Sequence, residues 1–309
     1  MVQIQITTLV IVGLVFIANF PLFIDSAAVI TPMRQRPVTI VGGGPVGLAT
    51  ALTLNQRGFQ DITVIEKRPQ SLTFEQEKSY LYLIDARGQL LTDSLNITSQ
   101  LASKGVPSSV FTSLTEVLVD GSTNIKKIPA LMTPKQEKYW IPRSELLTIL
   151  ENQCRAANPG IKFLFDTTIE RIAYNKEADR ITLTCVQRVS PDAATTARTV
   201  SFETTVLLGC DGFRSQVREF LATNEDGCVD GDAVGFVPTS YHSDSAGLQY
   251  KMLSPKASFP LPLTKVPSQS ITSYAIRGTG TTPTTRLSLG LLPVKVCRSV
   301  VCRAVSLYM

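Results

Sequence analysis

From Pro37 onward, short runs of β-branched and aliphatic residues alternate with amphipathic stretches, and each run closes on glycine or an acid. Val38–Val41 reads VTIV and Ile62–Ile65 reads ITVI. Apolar runs this short, with no polar alternation, predict strands buried on both faces of a parallel sheet. Between them, LATALTLNQRG predicts a helix that turns Leu48, Ala51 and Leu52 to the sheet and stops at Gly58. RSELLTILENQ, from Arg143, predicts an amphipathic helix with Leu146, Leu147, Ile149, Leu150 and Cys154 on or near its apolar face. Three β-rich stretches follow, at 161–174, 179–187 and 197–210, with polar turns between them as an antiparallel meander requires. The third runs apolar into Asp211-Gly212, which predicts a central strand ending in a ligand-facing turn, and SQVREF after it predicts a short helix.

The start of the chain follows another pattern. Residues 1–24 carry no charge, and 7–24 form a run of 18 uncharged residues. As a helix this run would span about 27 Å, the short end of a membrane crossing. Residues 9–24 are therefore expected to form a helix detached from the body that anchors the protein in a membrane or targets it to an organelle. Ser26-Ala27-Ala28 keeps a cleaved signal open, although no Lys or Arg precedes the apolar run. Arg34 and Arg36 lie just after it, which for an anchor favours a cytoplasmic body.

Composition narrows the chemistry. The chain has 309 residues, 44% apolar and 18% charged, with mean hydropathy +0.14, so it can bury a core and is neither disordered nor collagen-like. The net charge of +5 follows no basic stripe, which argues against nucleic acid as a partner. Six scattered cysteines form no Cys-x-x-Cys pair, and the one histidine, His242, sits among small polar residues and reads as a solvated loop side chain. No metal site and no His-based triad are expected.

The chemical signal lies in the first strand–turn–helix unit. GGGPVG puts Gly42, Gly44 and Gly47 in G-x-G-x-x-G spacing between the two strand runs. The first glycine permits the tight turn, the second lets backbone approach a pyrophosphate, and the third lets helix and strand pack closely. Free N–H groups of the first helical turn can then receive phosphate charge. Glu66 ends the second run, 19 residues after Gly47, where a carboxylate can accept from an adenosine ribose and would repel a 2′-phosphate. Arg143 opens its helix against the dipole and so needs another partner, such as a phosphate or a carboxylate.

VTIVGGGPVGLATALTLNQRGFQDITVIEKRP, RSELLTIL and LLGCDGFRSQVREFL together resemble the FAD-dependent aromatic hydroxylases, the single-component flavin monooxygenases. SYLYLIDARGQLL and GCDG resemble its kynurenine 3-monooxygenase-like branch, and the likeness covers roughly residues 37–295. The resemblance implies an α/β fold: a Rossmann-like, glutathione-reductase-type FAD-binding domain with an inserted antiparallel meander and an incomplete β-rich substrate domain. It implies residues 35–235 as the FAD domain, with a substrate-facing insertion at about 78–140, residues 236–309 as a partial substrate region with an atypical tail, and 1–34 as separate. Gly42, Gly44, Gly47, Glu66, Arg68, Arg143, Asp211 and Gly212 would bind FAD, with NADPH or NADH as electron donor. One oxygen atom would pass from O2, through a flavin C4a-hydroperoxide, to a small aromatic or hydrophobic substrate.

Two departures qualify the likeness. The family's substrate-carboxylate arginine is here Lys78, followed by Ser79, Tyr80 and Leu81, so the substrate need not be kynurenine. The family's third motif, whose aspartate contacts the ribitol, is missing, and GDAVGFVPTS (231–240) comes too early to replace it. The expectation is a truncated product, inactive or poorly active. Another FAD oxidoreductase or a non-catalytic FAD-binding fragment stays open; a halogenase is disfavoured because Trp140 is the lone tryptophan.

Overall fold

Val38–Val41 is buried at all four positions and pairs in parallel with Ile62–Ile65 on one side and Val206–Gly209 on the other. Ile161–Leu164 extends this sheet beyond Ile62–Ile65, and Val10–Val12 extends it beyond Val206–Gly209, giving five parallel strands. A strand covered on both faces tolerates little polar alternation, which is why the central Val38–Val41 and Ile62–Ile65 are dominated by β-branched apolar residues, whereas Ile161–Leu164 farther out carries the exposed Lys162. The computed structural model describes residues 10–12, 34–69, 80–107, 111–117, 122–129, 137–157, 160–175, 177–188, 197–223, 238–241, 249–253, 273–278, 287–296 and 299–308.

These residues divide into two compact units: Met1–Thr73 with Leu150–Thr239, and Phe74–Ile149 with Ser240–Met309. In the first, the helix Pro45–Gln56 buries Gly47, Leu48, Thr50, Ala51 and Leu52. The later part of the helix Arg143–Ala157 packs alongside, its buried Cys154 thiol donating to the Leu48 carbonyl at 3.6 Å. A meander of Thr167–Asn175, Arg180–Arg188 and Ala197–Thr204 covers the sheet. Its Ile169, Ile172, Ile181, Leu183 and Cys185 form one cluster with Val41, Ile65, Leu207 and Val217.

Two elements depart from expectation. The run 161–174 is not a single meander strand. Asp166 takes a left-handed backbone, φ 52°, and splits it into Ile161–Leu164 in the parallel sheet and Thr167–Asn175 in the meander. The detached helix over 9–24 is corrected at Val10–Val12, a strand in register with Leu207–Gly209, while the rest of that run lies outside the described residues. A run rich in valine and isoleucine satisfies its backbone equally well by pairing with an open sheet edge. Among the described residues no helix is long and apolar enough to cross a membrane.

The second unit holds a six-stranded sheet in the order Gln249–Leu253, Ser299–Tyr308, Leu287–Val296, Ser273–Gly278, Phe111–Val117 and Thr123–Pro129. All its pairs are antiparallel except Ser273–Gly278 with Phe111–Val117. A smaller antiparallel sheet joins Leu81–Ile84, Tyr139–Pro142 and Val106–Pro107. The helices Ala86–Ser94 and Thr98–Lys104 belong to this unit, the first capped by Asp85, whose carboxylate accepts from the Arg87 and Gly88 N–H groups.

Candidate functional site

The strands Val38–Val41 and Val206–Gly209 end side by side, and the two turns that follow meet. Gly42 takes φ +104° and donates its N–H to the Ile65 carbonyl at 2.8 Å. A Cβ there would lie 2.4 Å from the Cys210 carbonyl oxygen and 2.9 Å from the Asp211 Cα, so only glycine fits. A Cβ on Gly47 would lie 1.9 Å from the Gly42 carbonyl oxygen, the close helix–turn packing expected of the third glycine. Gly44 differs from both. A Cβ there would meet nothing within 4 Å, and no side chain caps the helix that begins after it. The turn therefore presents bare backbone to open space at the N-terminus of a 12-residue helix, where unsatisfied N–H groups favour an anion.

Glu66 is buried beside this turn. Its Oε2 accepts from the Gly43 N–H at 2.8 Å and from Arg68 Nη2 at 3.0 Å. Its Oε1 accepts from the Arg68 backbone N–H and from Arg68 Nε, both at 2.9 Å. Burial alone would push the carboxyl up, but the Arg68 hydrogen bonds and charge, with the Gly43 N–H, outweigh it and hold the group below the ordinary carboxylate range. Arg68, singled out as a cofactor contact, is thus drawn onto Glu66.

Asp211 lies on the opposing turn. Its Oδ2 accepts from the Gln216 N–H at 2.6 Å and so caps the helix Gln216–Thr223. Its Oδ1 is buried and has no partner among the described residues. Gly212, at φ +84°, also faces open space. The fold thus brings Gly42, Gly44, Gly47, Glu66, Arg68, Asp211 and Gly212 together. Between the turns, burial pushes the Cys210 thiol up to about 11, which favours the protonated thiol at neutral pH.

Arg143 belongs to the second unit. Its N–H donates to the Tyr80 carbonyl at 3.1 Å, which sets it opposite Tyr80, on the face that also carries Tyr82. The Tyr80 and Tyr82 hydroxyls are 3.3 Å apart, and their rings meet edge to face at 5.3 Å. The positive charge of Arg143 acts on the Tyr82 hydroxyl and favours its ionised form. Burial first, then the Tyr80 hydroxyl, push that phenol up to about 12 against the opposing effect of Arg143. Among the described residues Arg143 thus acts on a phenol. Sequence reasoning named Tyr80 only as a departure after Lys78 and passed over Tyr82, although their Tyr-x-Tyr spacing puts both on one face of any strand. Lys78, His242 and the start of GDAVGFVPTS lie outside the described residues. Among the described residues no group of His, Cys, Asp and Glu could hold a metal ion.

The chain is similar to known proteins in family and fold. The FAD binding domain family matches residues 35–279. Kynurenine 3-monooxygenase of Dictyostelium discoideum is 24% identical over 186 residues, covering 60% of this chain and 36% of that protein. P. aeruginosa PqsL in complex with 2-aminobenzoylacetate superposes with a TM-score of 0.57 at 14% identity, over 89% of this chain and 61% of that one. Aklavinone-11 hydroxylase, in its ternary complex with FAD and aklavinone, gives 0.55 at 16% identity, over 89% and 46%. At such identities the structural likeness is one of fold. The chain spans less than two thirds of the length of each of these relatives.

Proposed function

The chain belongs to the FAD binding domain family, and from that membership we propose that it is the cofactor-holding part of an FAD-dependent monooxygenase that acts on a small aromatic substrate with NADH or NADPH as electron donor. The observation that carries the reading is the pairing of two strand-end turns. One offers bare backbone at Gly44, and the other offers a buried Asp211 oxygen with no partner. These fit a dinucleotide, which brings both phosphate charge and hydroxyl donors.

The backbone of the Gly42–Gly44 turn and the first turn of the helix Pro45–Gln56 receive the pyrophosphate. Glu66 stands where a ribose would come. Asp211 Oδ1 accepts from a hydroxyl of the cofactor, and the open face of Gly212 leaves room for it. Arg143 adds positive charge, and Lys78 is assigned to a substrate carboxylate. When bound, FAD supplies the redox chemistry, taking electrons from the nicotinamide and activating dioxygen. The protein's own task is to hold the cofactor, exclude water and orient the ring to be hydroxylated. Residues 35–235 do the holding, and about 78–140 with 236–309 face the substrate.

The test is to purify the chain, add FAD, remove the excess and record the flavin absorption band. Stoichiometric retention is expected. NADH or NADPH consumption and hydroxylated product are then measured separately on a panel of aromatic acids. Retention of FAD without product would favour a cofactor-binding piece over a self-sufficient enzyme. No retention under any condition would overturn the reading.

A further inference from the structure

A carboxylate offers about four acceptor positions, and at Glu66 four protein donors occupy them, three of which belong to Arg68. This is an unusual concentration on one residue two positions along the chain. The Arg68 guanidinium spans both oxygens, and its backbone N–H adds to one of them. Glu66 is 7% exposed, so water contributes little to holding its charge.

We propose that Arg68 is a positioning residue: its guanidinium holds the Glu66 carboxylate as an anion against the glycine turn, and it affects dinucleotide affinity through Glu66 and not by touching the cofactor. The proposal rests on the FAD reading above for its ligand. It does not rest on it for the state of Glu66. Salt bridge and hydrogen bonds coincide at 2.9–3.0 Å, which gives the fork-to-fork geometry that only a guanidinium supplies.

The surroundings leave Arg68 as the decisive charge. The glycine turn contributes the Gly43 N–H and no charged side chain. The adjoining strand Ile161–Leu164 carries Lys162, which pairs with Asp61 at 3.1 Å. Asp166, on the turn after that strand, meets this segment through its backbone N–H, which donates to the Arg68 carbonyl at 3.0 Å. Lys67 lies between the pair in sequence and makes no ion pair with Glu66 among the described residues. Without Arg68, burial would act on the carboxyl with only backbone donors to oppose it, and the group would take up a proton at higher pH. A protonated Glu66 gives up an acceptor position and becomes a donor, so it no longer holds the Gly43 N–H in the arrangement that shapes the glycine turn for the dinucleotide.

The experiment compares the full chain with R68M and R68K in two measurements. The first follows Glu66 in the FAD-free protein by carboxyl NMR, assigned with E66Q. R68M should move its titration upward, and R68K should move it less. The second measures FAD affinity by flavin fluorescence from about pH 7.5 to 5.5. The native chain should be nearly flat, and R68M should lose about tenfold more affinity than it over that range. An unmoved Glu66 titration in a folded R68M or R68K overturns the proposal, whatever FAD does. Equal weakening at every pH also overturns it, because Arg68 would then be a direct cofactor contact. If the native chain binds no FAD, the function reading fails and the NMR arm still decides the role of Arg68.

Discussion

The glycine-turn unit and the Tyr–Arg face of the second unit hold their charged side chains in opposite ways. Glu66 is buried and fully satisfied, with every acceptor position filled by a backbone N–H or by Arg68. Arg143 is partly exposed at a helix start, against the dipole, and leans on the phenol of Tyr82. A buried charge costs several kcal/mol unless it is paired and hydrogen-bonded, whereas a partly hydrated guanidinium needs only an anchor. The first arrangement builds a rigid feature. The second leaves a partly hydrated cation beside a phenol.

Substitutions can break this contrast. The largest effect is expected within the glycine turn itself. Gly47→Val drives a side chain into the Gly42 carbonyl and should cost about 3 kcal/mol or more, read as a loss of folded protein in urea unfolding. Gly44→Val, at a position that faces open space, should leave unfolding nearly unchanged and yet abolish FAD retention. If both variants lost stability equally, the distinction between a packing glycine and a ligand-facing glycine would fail.

Next comes the sheet beneath the turn. Ile40 is fully buried, and Ile40→Ala should cost about 2–5 kcal/mol, with FAD retention lowered only as far as folding is. A variant that stayed stable but lost FAD would place Ile40 in the site and not in its foundation.

Glu66→Gln probes the saturated charge. The folded carboxyl lies below its ordinary range, so its stabilisation is fully present above the unfolded value near about 4.3 and is lost as pH falls through the folded value. The variant should be about 1–3 kcal/mol less stable than the native chain at neutral pH, and the gap should close on acidification. A gap that widened toward acid would mean that folding raises the Glu66 carboxyl instead of lowering it.

The smallest effect belongs to the second region. Tyr82→Phe removes the phenol that anchors Arg143 and should cost about 0.5–1.5 kcal/mol, with no change in how Glu66 titrates. A larger loss would mean that the tyrosine pair is core and that the contrast between the two regions is overstated.

Much of the first region was legible in the chain. Four-residue apolar runs, glycine spacing and a terminal acid are local features, and the backbone conformations they require are local too. The apolar face of the helix at 143–157 was equally plain, since Leu146, Leu147, Ile149, Leu150 and Cys154 are all buried. The stretch 161–174 was assigned whole to the meander because both of its segments are β-rich, and only the pairing on either side of the left-handed Asp166 sends Ile161–Leu164 to the parallel sheet. Val10–Val12 misled for a related reason. An apolar run suits a membrane helix or a sheet edge, and only the presence of the edge decides.

By itself, then, the sequence determined where packing excludes a side chain, at Gly42 and Gly47, and where a carboxylate ends a strand, at Glu66. These follow from sterics and spacing within one stretch of chain. Which groups those residues meet was decided only by tertiary structure. Asp211 comes to the Gly42 turn because Val206–Gly209 pairs with Val38–Val41, strands more than 160 residues apart in sequence. Tyr80 stands opposite Arg143 because two strands from distant segments share a register. Pairing is chosen by which buried faces fit together, and no window of local sequence contains that choice.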